Sequence, residues 1–61
     1  MNKEIREKFE SYIKLHSDRV AAGVGTRVGY NNRMLGVLKG LEMAGVITEE
    51  ESRDLYFEYK K

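Results

Sequence analysis

The clearest pattern of apolar and polar positions runs along the first third of the chain. Ile5, Phe9, Tyr12, Ile13, His16 and Val20 recur at helical spacing, while Lys3, Glu7, Glu10, Lys14 and Asp18 fall on the opposite side. The spacing predicts an amphipathic helix over residues 2–22. Glu4–Lys8 and Glu10–Lys14 are acid-first pairs four residues apart, each contributing ~0.2–0.5 kcal/mol. A helix of this kind must bury its apolar face against a partner, of which the rest of the chain is the nearest.

A second pattern occupies Met34 to Glu51. Leu35, Leu38, Leu41 and Ala44 recur at helical spacing with Met34 and Val37 alongside, and Gly45 then follows. Glycine at that point ends a helix, because it takes the left-handed conformation without a Cβ clash. Val46 and Ile47 bridge to Thr48, and Thr48-Glu49-Glu50-Glu51 has the form of a capping box. Its three acids also suit the positive end of a helix dipole. A second helix over 31–44, capped by Asn31 or Asn32, and a third over 48–60 follow from these signals. The second is apolar around so much of its circumference, broken mainly by Arg33, Lys39 and Glu42, that it belongs at the centre of the bundle. In the third, Leu55, Tyr56 and Tyr59 point one way with Ser52 between them, and Phe57 points the other, among Glu50, Arg53 and Lys61.

Between the first two helices, residues 23–30 hold three glycines, and Val24, Thr26, Val28 and Tyr30 alternate as a short strand would. With no second strand to pair with in the chain, this segment is expected to be an ordered loop of about eight residues. Gly23-x-Gly25 opens like a dinucleotide fingerprint, but Val28 stands where a third glycine belongs and no strand precedes it. No Gly-Lys-Ser/Thr follows to make a phosphate loop. The predicted fold is therefore all-α: one helical domain over residues 1–61, a small three-helix bundle with a glycine-rich loop and a C-terminal helical hairpin.

Composition narrows the picture. A chain of 61 residues buries only about 60% of its unfolded surface, and a core of that size supplies ~3–5 kcal/mol at most. It has no cysteine and one histidine, so neither disulfides nor a zinc site can staple it, and no cofactor or metal is expected. Self-association or a partner is then a plausible extra source of stability. The net charge of +1 makes no global case for nucleic acid. Locally, Arg19, Arg27, Arg33 and Lys39 face Asp18 alone in residues 17–41, a balance of +3, whereas residues 42–61 set six acids against Arg53, Lys60 and Lys61, a balance of −3. No uncharged run exceeds seven residues, so no membrane span or signal peptide is expected and the default location is cytoplasmic.

Candidate chemistry is sparse. His16 lies in the middle of an apolar helix face, and Ser17 and Asp18 point elsewhere on that helix, so no triad forms and no enzyme is expected. Arg27, Tyr30, Asn31, Asn32 and Arg33 combine arginine, an aromatic ring and amides at a helix start, the vocabulary of phosphate and base contacts. Gly36 and Gly40 sit four apart inside the second helix, each costing ~1 kcal/mol relative to alanine. That loss predicts close packing of another backbone, from the first or third helix or from a second protomer. Phe57, exposed on the third helix, marks a contact surface, and Tyr56 is counted with it as a contact residue.

Leu38-x-x-Leu41-x-x-x-Gly45-Val46-Ile47-Thr48-Glu49-Glu50-Glu51 resembles the short bacterial C-terminal domain known as SHOCT, over residues 38–61. The chain departs from that pattern at Ser52, where an aromatic is usual, and lacks the following lysine pair. The resemblance implies an oligomerisation or docking role without catalysis. In size and composition the chain also resembles small accessory proteins of phages and mobile elements, which commonly bind and inhibit a larger protein. The leading expectation is a protein-interaction module, by self-association or by regulating a larger bacterial or phage protein, with Arg27, Tyr30, Arg33, Tyr56 and Phe57 in contact. The alternative is a small nucleic-acid-binding regulatory protein using the Arg27–Arg33 cluster.

Overall fold

In the computed structural model, which describes all of residues 1–61, three helices follow one another: α1 (Lys3–Ala21), α2 (Arg27–Met43) and α3 (Glu49–Tyr59). No strand is present. The predicted all-α bundle is the observed fold, and the first and third helices begin and end within two residues of their predicted limits.

Helix α2 begins earlier than its sequence suggests. Its N-cap is Thr26, whose side chain accepts a hydrogen bond from the Gly29 amide at 3.0 Å. Neither Asn31 nor Asn32 caps it, and the predicted eight-residue loop shrinks to Ala22–Thr26. Val28 and Tyr30 are helical, not strand-like. Gly29 fits the first turn because a Cβ there would stand 3.1 Å from the Thr26 hydroxyl oxygen, tighter than ordinary contact.

Both connections are the same device. In Ala22-Gly23-Val24-Gly25-Thr26 and Ala44-Gly45-Val46-Ile47-Thr48, alanine closes the helix, glycine turns left-handed (φ +79° and +75°), and threonine caps the next helix. The valine amide reaches back to the Arg19 carbonyl in the first turn and to the Leu41 carbonyl in the second, each at 2.9 Å. Both satisfy a carbonyl that the helix end leaves unpaired. In the second turn Ile47 plugs the core, and Thr48 and Glu51 form the reciprocal capping box at 3.0 Å each way.

Because each turn reverses the chain, α1 and α3 both lie against α2. The core is Phe9, Ile13, Tyr30, Met34, Leu38, Ile47 and Leu55, with Met34 and Leu38 fully buried on the central helix. Residues 30, 34 and 38 are successive positions four apart, one stripe of α2. Phe9 meets Tyr59 edge to face at 5.7 Å between ring centres, joining α1 to α3 directly.

Candidate interaction surfaces

The outward face of α2 carries none of the buried residues of the core. Val28, Asn32, Leu35, Gly36, Lys39, Gly40 and Met43 share it, all exposed, and Val28 and Met43 keep 69% and 82% of their surface in water. A Cβ built on Gly36 or Gly40 would meet nothing within 4 Å. The expectation that α1 or α3 packs closely on these glycines is therefore corrected: the core stripe lies on the other side of α2, and both neighbours dock there. The backbone of α2 is left uncovered at Gly36 and Gly40.

Beside this face, a groove of about 370 Å³ runs between α1 and α2, lined by Ile5, Phe9, Tyr12, Val37 and Leu41, with Lys8 at its rim. On α3, Phe57 is 63% exposed, as its helical position predicts, with the Tyr56 ring 5.8 Å away edge to face and the Lys60 ammonium 5.7 Å from its ring centre.

The polar cluster at the start of α2 divides. Tyr30 is removed from the contact set by its burial: only 4% of it is exposed, and its hydroxyl donates to the Tyr59 carbonyl oxygen at 2.8 Å. Burial, with a smaller effect of Tyr59, pushes that phenol above its ordinary range. Asn31 faces the end of α3, its amide nitrogen donating to the Lys61 carbonyl oxygen (3.0 Å) and its oxygen accepting from the Lys61 backbone amide (2.9 Å). Arg27 and Arg33 stay exposed, and no carboxylate pairs with them or with Arg19. Lys61, which the sequence groups with the acidic segment, is returned by α3 to this end and holds its ammonium 5.2 Å from the centre of the Tyr30 ring.

Glu49 and Glu50, also without ion-pair partners, stand at the other end of α2, about 25 Å away for a helix of this length. The same end holds two depressed carboxylates. Glu51 is held below the usual carboxylate range first by the Thr48 backbone amide and then by the amino group of Met1 at 3.1 Å. Glu42 is held low by the Ser52 hydroxyl and then by Lys39. No three His, Asp or Glu side chains are grouped closely enough to hold a metal ion. No helix is long and apolar enough to cross a membrane.

Compared with known proteins, the chain matches no family model, no curated protein and no solved structure.

Proposed function

We propose that this chain is a small non-enzymatic protein-interaction module whose contact surface is the outward face of α2. It works by self-association or by docking on a larger bacterial or phage protein that it regulates or inhibits. The observation that carries this reading is the coincidence, on one helix face, of Val28, Leu35 and Met43 in solvent with two glycines that meet nothing in their own chain. Two mid-helix glycines cost about 1 kcal/mol each, a large loss for a core of seven buried apolar residues. They are useful where a second helix must approach the backbone closely, as in small-xxx-small packing. The resemblance of residues 38–61 to SHOCT supports the same docking role. Native mass spectrometry of the untagged chain from its own host tests the reading. The wild type should carry a copy of itself or one stoichiometric protein, and Gly40→Leu should lose it while remaining helical. An unchanged complex in Gly40→Leu would overturn the assignment of the face.

A second reading has its own observation. Lys61 joins Arg27 and Arg33 at one end of α2, enlarging the basic cluster that nucleic-acid binding would use. Binding of this kind should weaken steeply between low and physiological salt; an apolar contact on α2 should not.

A further inference from the structure

A second cavity, of about 180 Å³, lies where the last turns of α1 face the first turns of α2. Three basic side chains line it, His16 and Arg19 from α1 and Arg33 from α2, and no carboxylate does. The nearest acid in sequence, Asp18, is already taken by Lys14 at 3.0 Å. Val24, Thr26 and Tyr30 complete the wall. The helix end supplies little by itself, since Gly29, whose amide is the first-turn donor at this wall, already donates to Thr26. Two guanidiniums without partners and an imidazole thus converge on one concave space.

We propose that this cavity binds a single phosphate group, free or as the monoester of a small molecule, with Arg19 and Arg33 as its clamps and His16 as a third donor. Guanidinium suits this task because its planar fork presents two parallel N–H groups to two phosphate oxygens. Arg27 and Lys61 do not line the cavity, and the three basic groups that do are enough for one phosphate. The site is separate from the outward face of α2 and does not depend on that face being an interface.

His16 reports on the site. The groups facing it are Tyr12, whose ring is 4.4 Å away edge to face, and Arg19 from α1, with Tyr30 and Arg33 from α2; none is an acid. Partial burial, then Arg33, then Arg19 hold its imidazole below the ordinary histidine range. A phosphate dianion between the two guanidiniums reverses that repulsion and favours the protonated ring, so binding and proton uptake are coupled.

The test uses the full chain, whose only histidine gives one pair of imidazole C–H resonances in a proton NMR spectrum. These are followed from pH 5 to 8 in sodium chloride and in sodium phosphate of equal ionic strength, then with a nucleoside monophosphate and with a short single-stranded oligonucleotide. Phosphate and the monoester should each raise the His16 midpoint by about one unit, tenfold in proton affinity. Arg19→Gln and Arg33→Gln, both at exposed positions, should remove that rise; Arg53→Gln, on α3, should keep it. The same midpoint in chloride and phosphate would overturn the proposal, as would an equal loss in Arg53→Gln. A response to the oligonucleotide alone would also overturn it, and would transfer the cluster to nucleic-acid binding.

Discussion

The Tyr30 hydroxyl donates to the carbonyl oxygen of Tyr59 at 2.8 Å, tying the first turn of α2 to the last residue of α3. Asn31 and Lys61 add two further hydrogen bonds one step along. Tyr30→Phe removes the phenol but keeps the ring in the core. It should cost about 0.5–1.5 kcal/mol, read as a fall in Tm of roughly 4–8 °C per kcal/mol. The phenol is held above its ordinary value of 10.0, so its contribution is complete below that pH and is lost as pH rises through the folded value. Alkaline melts should therefore fall off less steeply above pH 10 in Tyr30→Phe than in the wild type.

The capping box makes an acid-side prediction. Thr48→Ala should cost about 1 kcal/mol, by loss of the side-chain acceptor for the Glu51 amide. Glu51 and Glu42 are both held below the ordinary carboxylate value of 4.5, so each stabilises the fold above that pH and ceases to as pH falls through its folded value. Denaturation followed from pH 6 to 2 should show a shallower loss below 4.5 in Glu51→Gln, and a shallower one still with Glu42→Gln added.

The glycines should sort by their surroundings. Gly36→Ala and Gly40→Ala enter open space on a helix and should each raise stability by about 1 kcal/mol. Gly45→Ala places a side chain at φ +75° and should lower it by about 1–2 kcal/mol. Gly29→Ala crowds the Thr26 cap at 3.1 Å and should give none of the gain seen at Gly36. Parallel thermal melts by circular dichroism check all four.

Leu38 is 1% exposed, on the central stripe of α2. Truncating it to alanine should cost about 2–5 kcal/mol, against a total of about 3–5 for a core of this size. Leu38→Ala should be largely unfolded at room temperature by circular dichroism, and Leu35→Ala, on the exposed side, should stay folded.

Helical arithmetic made most of this fold legible: it put Phe57 in solvent and α2 at the centre, and Gly45 and Thr48 marked their turn. The start of α2 was obscured by glycine content, although the signal was present. Ala22-Gly23-Val24-Gly25-Thr26 repeats the pattern of Ala44-Gly45-Val46-Ile47-Thr48, and laying one on the other starts the helix at Arg27. That shift places Tyr30 four residues before Met34, on the core stripe, and takes it out of the surface cluster. The position of Lys61 was not legible, because it depends on α3 returning antiparallel with a length that ends beside Asn31. Nor does the cost of two glycines say which neighbour approaches; only the docking side of α2 decides that. The convergence of His16, Arg19 and Arg33 on one cavity likewise needs the angle between two helices.

The claim at the centre of this account is that the outward face of α2 is a contact surface. A genetically encoded photo-crosslinking side chain at position 43, the most exposed apolar site on that face, tests it most directly when irradiated in host cells. The account predicts one discrete adduct, to a second copy or to one larger protein, which disappears when Leu35→Asp is added. No adduct from position 43, or one indifferent to Leu35→Asp, would contradict it.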